Sequence, residues 1–277
     1  MNHEQLIFIV EKNLDKELRK TVKDVAGEAK VVFRADALYT DSTFDGYSGD
    51  YFVNAGEIVK KNGPYGTQRN AGLMIGKIHQ QLTKIGRHVI LITTTDITCR
   101  RRGEGYLNFC FGFANSGHVV ISMARFGHLP INEQKLILAG LIMHELGHIY
   151  DLAAKPSRVF TEDNIGMHCT NKECVMQQGG TVDAFRTNFN FLKSKEHEST
   201  REGAIRKYYC QWCAADIEDY FLPPLPPRKT SAPPLPPRKQ WGQQISRRTG
   251  AFGRPFFLCI KHTFCSVWLL TFHQAYV

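Results

Sequence analysis

The amino-acid sequence predicts an α/β fold, and three features of its pattern support this class. The chain opens with apolar residues at helical spacing, continues with three runs rich in Val, Ile, Phe and Thr, and then shows a long apolar helical pattern. It has 277 residues, of which 43% are hydrophobic. This is enough apolar material for a sizeable core, so a wholly disordered protein is excluded.

The first predicted element is an N-terminal helix, assigned to residues 1–29 as a unit of its own. Over residues 4–20 the apolar positions are spaced for one helix face, and charged residues occupy the other. These apolar positions are Leu6, Ile9, Val10 and Leu14. A second helix is predicted over residues 70–82, after a stretch rich in turn-forming residues.

Three strands and a long helix are predicted next. The strand-like runs cover residues 88–95, 108–113 and 118–126, and turns containing glycine separate them. The hydrophobic period then changes from that of strands to that of a helix. Residues 132–152 are therefore predicted to form one helix, with Asn132 as its N-cap.

The long helix carries the motif His144-Glu145-Leu-Gly-His148. Residues four apart lie on one helix face, so both imidazoles can reach one metal ion, and Glu145 is placed to act as a general base. The alternative is a chance match on a charged helix. The surrounding helix is apolar, however, and buried histidines and a buried glutamate need partners, which favours a catalytic zinc site.

Four cysteines predict a second metal site. Cys169 and Cys174 are separated by four residues, and Cys210 and Cys213 are separated by two. Four thiolates are the ligand set of a closed, tetrahedral structural zinc. The alternative is four reduced cysteines that only pack in the core. Their spacing favours zinc.

The combination of motifs resembles the archaemetzincin family of zinc metallopeptidases. The family pattern is HExxHxxGxxHC, four residues, CxM and a later CxxC. The counterparts in this chain are His144, Glu145, His148, His168, Cys169, Cys174, Met176, Cys210 and Cys213. The resemblance covers about residues 60–216 and is far more specific than HExxH alone.

The resemblance implies a fold and a set of ligands. It implies a metzincin-like domain over residues 30–221, with a mixed twisted sheet, an active-site helix and a small zinc-stapled C-terminal subdomain. It also implies two zinc ions per chain and a peptide or protein substrate. His168 would be the third ligand of the catalytic zinc, and Met176 would pack beneath that metal without binding it.

The chain departs from the family pattern before His168. In metzincins the third histidine follows the second by six residues, after a glycine at which the chain leaves the helix. Here the separation is 20 residues, and Asp151 occupies the glycine position. Either the insertion returns His168 to the metal, or an acidic side chain replaces it. The acidic candidates are Asp151, Glu162 and Asp163. The intact pairing of His168 with Cys169 favours the first arrangement.

The charge distribution argues against a nucleic-acid partner. Lys and Arg total 35 against 26 Asp and Glu, but eight of the basic residues and no acidic residue lie within residues 223–277. The rest of the chain therefore has 35 − 8 = 27 basic residues against 26 acidic ones and is nearly neutral. A zinc-ribbon protein that binds nucleic acid is disfavoured for this reason.

The sequence also bears on location. The N-terminus lacks the basic and apolar regions of a secretory signal, so a cytoplasmic location is expected. The apolar run at residues 256–272 contains Lys261 and His262 and is shorter than the about 20 residues needed to span a bilayer. Membrane contact by this run is therefore not the favoured interpretation.

A proline-rich segment at residues 222–240 follows the predicted domain, and a basic, aromatic tail at residues 241–277 ends the chain. Two copies of Pro-Pro-Leu-Pro-Pro-Arg-Lys each fit PxxPxR, which is typical of SH3-domain ligands in polyproline II conformation. The residues expected to bind are Pro223, Pro226, Arg228, Pro233, Pro236 and Arg238. A stiff spacer is the alternative. SH3 domains belong largely to eukaryotic signalling proteins, so we expect action in a eukaryotic cytosol, either native or that of a host into which the chain is delivered.

Two functions follow from these motifs. The favoured function is a zinc-dependent metallopeptidase with Glu145 as general base. The alternative is a catalytically inactive zinc scaffold that acts as an adaptor through its proline-rich motifs. The peptidase needs His168 at the metal and an accessible cleft, whereas the scaffold needs only the four-cysteine site and the prolines.

Overall fold

The structure is a computed structural model that describes residues 4–41, 43–82, 87–101, 105–152, 160–163, 166–195 and 200–222. The strands are β1 (Gln5–Val10), β2 (Asp36–Thr40), β3 (Ile58–Gly63), β4 (Gly66–Asn70), β5 (Arg87–Thr93), β6 (Asp96–Thr98), β7 (Arg100–Arg101), β8 (Gly105–Tyr106), β9 (Gly112–Asn115), β10 (His118–Ser122), β11 (Phe160–Asp163) and β12 (Gly166–Cys169). The helices are α1 (Lys16–Val32), α2 (Gly49–Ala55), α3 (Ala71–Leu82), α4 (Ile131–Ile149), α5 (Val182–Asn188), α6 (Arg201–Tyr208) and α7 (Gln211–Phe221).

A five-stranded sheet in the order β2-β1-β5-β10-β9 forms the main layer. β1 runs parallel to β2 and β5, and β5 runs parallel to β10, whereas β9 is antiparallel to β10. The sheet is therefore mixed, and the predicted α/β class is confirmed. The antiparallel strand β9 ends the sheet on the side where the histidine motif lies.

The predicted N-terminal helix over residues 1–29 is wrong in its first part. Residues Gln5–Val10 form β1, between two parallel neighbours, and the helix that follows covers Lys16–Val32. Leu6 through Val10 are almost completely buried, as expected for a strand covered on both faces. Helix α1 packs in the same core as α4, so this segment belongs to the main domain rather than to a separate unit.

The other predicted elements are found, with shifted ends. The helix at 70–82 and the strands at 88–95 and 118–126 appear as α3, β5 and β10. The strand predicted at 108–113 begins only at Gly112, and before it Cys110 alone forms a bridge, to Ile97. Helix α4 begins at Ile131, after Pro130, so Asn132 is not its N-cap.

Two hydrophobic cores cover the two faces of the sheet. One contains α1, α4 and the cysteine-rich C-terminal part, and the other contains α2 and α3. Helix α4 is thus buried along most of its length, with residues from Ile137 to Leu146 against the sheet and the C-terminal elements. This burial fixes the position of the histidine motif relative to β9.

The proline-rich residues 223–240 and the tail at 241–277 lie outside the described residues. Most side chains between His148 and His168 also lie outside the described residues. Within the described residues, no helix combines the length and the apolar character required to cross a bilayer.

Alanine substitutions at two helical glycines test the packing of α4. A Cβ added at Gly140 would lie 2.5 Å from the ring of Phe189, whereas one added at Gly27 in α1 would meet nothing within 4 Å. We expect Gly140→Ala to lower the free energy of unfolding by about 1–3 kcal/mol through overpacking. Gly27→Ala should raise it by about 0.5 kcal/mol because alanine is the better helix former. Urea unfolding measures both, and equal effects at the two positions would contradict the packing described.

Candidate metal centres and cleft

Three histidines converge at the C-terminal half of α4. His144 and His148 lie one turn apart on the helix, and their Nε2 atoms are 3.1 Å from each other. His168, at the end of β12, joins them, and possible ligand atoms of all three lie within 4.8 Å of one another. His144 and His168 are buried, and His148 is partly buried. This is a three-nitrogen donor set of the kind that binds zinc and leaves a coordination position open.

The protonation of His144 is set by its surroundings. Its Nδ1 donates a hydrogen bond to the carbonyl oxygen of Val175 at 2.6 Å, which directs the lone pair of Nε2 toward the other histidines. Burial lowers the pKa of His144 well below its usual range, and the neighbouring His148 and His168 lower it further. A neutral imidazole with a fixed tautomer is the form that binds a metal.

The chain leaves α4 through a left-handed backbone conformation, which glycine commonly adopts at the end of a helix. Asp151 adopts a left-handed conformation with φ of 52°. The amide of Leu152 donates to the carbonyl of Gly147 at 2.9 Å, and that of Asp151 donates to His148 at 3.3 Å. These two bonds form a Schellman motif, which ends the helix directly after the second histidine. Aspartate is among the residues that tolerate this conformation, so the missing glycine does not prevent the turn.

The insertion returns through a hairpin. β11 and β12 pair in antiparallel fashion, with Thr161 opposite His168. Of the acidic alternatives, Asp151 has an exposed side chain and is not part of the histidine cluster. The side chains of Glu162 and Asp163 lie outside the described residues. Within the part that is described, His168 is the residue that the fold places beside His144 and His148.

Met176 packs against α4 at Gly147. It is fully buried, and a Cβ added at Gly147 would lie 2.2 Å from its sulfur. Gly147 lies between the two helical histidines in the sequence, so the thioether fills the space that a side chain there would need. The structure thus shows Met176 buried against the helix that carries His144 and His148.

Glu145 lies between α4 and the sheet edge. It is buried, and burial raises its pKa to about 8, with a smaller contribution from Cys99. Its carboxyl group contacts the backbone of Gly112 in β9, where an added Cβ would lie 2.0 Å from Oε1. The sequence motifs do not mark Gly112 as part of the site. The available signal was an isolated glycine within the aromatic run Phe111-Gly-Phe113, which indicates close approach by another group.

The four cysteines form a second cluster. Possible ligand atoms of Cys169, Cys174, Cys210 and Cys213 lie within 4.8 Å of one another, and all four side chains are buried. The sulfur atoms of Cys169 and Cys210 are 3.7 Å apart. Cys210 is the N-cap residue of α7, where the helix dipole favours a thiolate. Hydrogen bonds from the other three thiols lower the pKa of Cys210.

Short connections tie the two clusters together. His168 and Cys169 are consecutive in β12, and the amide of Cys169 donates to the carbonyl of Met176 at 2.8 Å. On the other side, the hydroxyl of Tyr209 donates to the carbonyl of Met143 at 2.6 Å. The cysteine cluster is thus attached both to the loop that carries the third histidine and to the helix that carries the other two.

A cleft of about 440 Å³ opens between the sheet edge and the histidines. One wall is formed by residues 107–114, including β9, and the opposite wall by residues 178–180 and Phe185. All three histidines and Glu145 line it. The cleft therefore gives a ligand access to the histidine cluster, to the buried carboxyl group and to the outer edge of β9.

Comparison with known proteins gives two similar crystal structures. The archaemetzincin of Methanopyrus kandleri is 16% identical with a TM-score of 0.48, and the match covers 79% of this chain and 95% of that one. The archaemetzincin of Archaeoglobus fulgidus, complexed with malonate, is 16% identical with a TM-score of 0.43, covering 76% and 99%. No protein-family model and no curated protein matches the chain.

Proposed function

We propose that this protein is a zinc-dependent metallopeptidase. The observation that supports this most strongly is the meeting of three histidines and a buried carboxyl group in one cleft beside a sheet edge. A protein that used its metals only for stability would not need a general base or an open cleft at the histidine cluster. The alternative, which the experiments below distinguish from a peptidase, is a catalytically inactive zinc scaffold.

The residues fit two zinc ions of different roles. His144, His148 and His168 would hold a catalytic ion, and the four-cysteine cluster would hold a structural one. When bound at the histidines, zinc supplies Lewis acidity, which lowers the pKa of water and polarises a carbonyl group. The Val175 carbonyl keeps His144 in the neutral tautomer that this requires.

Glu145 is the group that moves the proton. Its buried carboxyl group can accept a proton from the attacking water and donate it to the amine that leaves. Gly112 matters here because its missing side chain leaves space for the carboxyl group between helix and strand. Burial raises the pKa of this carboxyl group, which strengthens it as a proton acceptor.

The edge of β9 supports a peptide as substrate. β9 is the last strand of its sheet, so its outer backbone groups can pair with an extended peptide. Residues 112–114 of this strand line the same cleft as Glu145. A peptide paired along them would pass over the histidine cluster with its backbone near the base.

We expect two zinc ions per chain, which elemental analysis of the purified protein measures. His168→Ala should retain one ion, because the four thiolates are untouched, whereas Cys213→Ser should lose the structural ion and lower the melting temperature. Asp151→Gly is the matched control, since it removes the acidic alternative and suits the left-handed conformation. Loss of an ion in Asp151→Gly together with two ions in His168→Ala would contradict the ligand assignment.

Glu145→Gln separates metal binding from chemistry. Glutamine keeps the size of the side chain but cannot accept the proton, so both zinc ions should remain while hydrolysis falls by about 10²–10⁴-fold. The assay is cleavage of a mixed-sequence peptide pool followed by mass spectrometry. An inactive wild-type protein would support the scaffold, and equal rates in both proteins would place the activity elsewhere.

We also propose that the proline-rich segment binds an SH3 domain, on the basis of its duplicated PxxPxR motif. The arginines Arg228 and Arg238 would meet an acidic pocket and fix the orientation of the ligand. Two copies would increase avidity toward a partner with tandem domains.

The double variant Arg228→Ala/Arg238→Ala tests this binding. We expect it to abolish binding to any SH3 domain that an array identifies with the wild-type chain, while cleavage of a short peptide is unchanged. Arg247→Ala/Arg248→Ala removes equal charge outside the motifs and serves as the control. The absence of a binder that depends on Arg228 or Arg238 would support the spacer interpretation.

A further inference from the structure

The wall of the cleft formed by residues 107–112, here called the cleft rim, belongs to a strand only at Gly112, and the carbonyl of Phe111 accepts from the amide of Ser122 at 2.8 Å. The amide of Leu107 donates to the carbonyl of Cys99 at 3.0 Å, and that of Cys110 donates to Ile97 at 2.9 Å. Asn108 and Phe109 lie between these two bonds and precede β9. Their position depends on side chains that reach them from other elements.

Gln68 is the first of these side chains. Its Nε2 donates to the carbonyl oxygen of Asn108 at 2.7 Å and to Oδ2 of Asp96 at 3.0 Å. Gln68 is buried in β4, which pairs directly with β6 and places it opposite Asp96. The amide group therefore connects the rim backbone to the Asp96 carboxylate.

Arg125 is the second side chain that reaches the cleft rim from another element. Its guanidinium group binds Asp96 through two bonds, from Nε to Oδ1 at 2.8 Å and from Nη2 to Oδ2 at 2.9 Å. The same group lies 3.9 Å from the ring centroid of Phe109, a cation–π contact, and 4.5 Å from that of Tyr65. The two-pronged bond fixes the plane of the guanidinium and with it the position of the Phe109 ring.

Asp96 accepts hydrogen bonds from both Gln68 and Arg125. It is 4% exposed, and its charge is balanced by Arg125. Neither Asp96 nor Arg125 lines the cleft, so they do not meet a ligand there. We propose that Asp96 is a positioning residue that acts through Gln68 and Arg125 to hold the cleft rim in place for an extended peptide. This inference rests on the proposed peptidase function.

The rim position matters to the reaction for a geometric reason. The rim ends at Gly112, whose backbone contacts Glu145 so closely that a single carbon atom would not fit between them. A rim that moves relative to α4 changes both the edge available to a peptide and the space around the base. Small displacements of this kind lower catalytic efficiency without removing any reacting group.

Asp96→Asn tests the inference, because it keeps the shape of the side chain and removes the charge that orients Arg125. We expect backbone amides of residues 107–112 to exchange hydrogen at least about tenfold faster, since their local opening becomes easier. The KM of the peptide best cleaved from the pool should rise about tenfold, with a smaller change in kcat and zinc content unchanged. Gln68→Met, which leaves the Asp96–Arg125 pair intact, should show the same direction of change if Asp96→Asn fails to fold.

Asp45→Asn is the matched control. It removes the carboxylate of an exposed pair with Arg87, away from the cleft, and should change neither measurement. Unchanged rim exchange and KM in folded, zinc-loaded Asp96→Asn would overturn the inference, as would faster exchange throughout the chain with loss of zinc. An inactive wild-type protein would contradict the proposed function instead. The exchange measurement needs no turnover and would still decide whether Asp96 holds the rim.

Discussion

The hydrogen bond from the amide of Cys169 to the carbonyl of Met176 closes a short loop on which both clusters depend. At one end of this loop His168 reaches the histidines of α4, and at the other Met176 packs against Gly147. Val175 accepts the hydrogen bond from His144, and Cys169 and Cys174 reach the remaining cysteines. One closed loop therefore sets the position of His168, the tautomer of His144 and the packing of Met176 against α4.

This arrangement explains how the chain can carry an insertion between His148 and His168. Lengthening the connection from six to 20 residues raises the entropic free-energy cost of closing the loop by only about 1 kcal/mol. A structural zinc contributes about 10 kcal/mol or more to the folding of small domains. Under the proposed function, ordering of the His168 end by the cysteine cluster thus outweighs the cost of the longer connection.

The sequence predicted which histidines and cysteines cluster better than it predicted the first element of the fold. His144 and His148 meet because residues four apart share one helix face. His168 and the two cysteine pairs come from distant parts of the chain, and their meeting was predicted by the ligand set of zinc and the family resemblance rather than by local geometry. β1 was missed because Leu6, Ile9 and Val10 suit one helix face as well as a strand buried on both faces. Only the neighbouring strands decide between these possibilities, and they come from residues 36–40 and 87–93, far along the chain.

The need for glycine at two positions of the site also arises from the assembled domain, although the isolated glycine between Phe111 and Phe113 was a local signal for one of them. Gly112 and Gly147 are needed because two elements approach closely, Glu145 against β9 and Met176 against α4. The close approaches arise from the packing of α4 between the sheet and the cysteine-rich part, a property of the assembled domain rather than of either local sequence. A small residue at these two positions is thus a condition for Glu145 and the histidines to occupy the same cleft. Under the proposed function, the resulting contact between Glu145 and the sheet edge makes the position of that edge part of the chemistry.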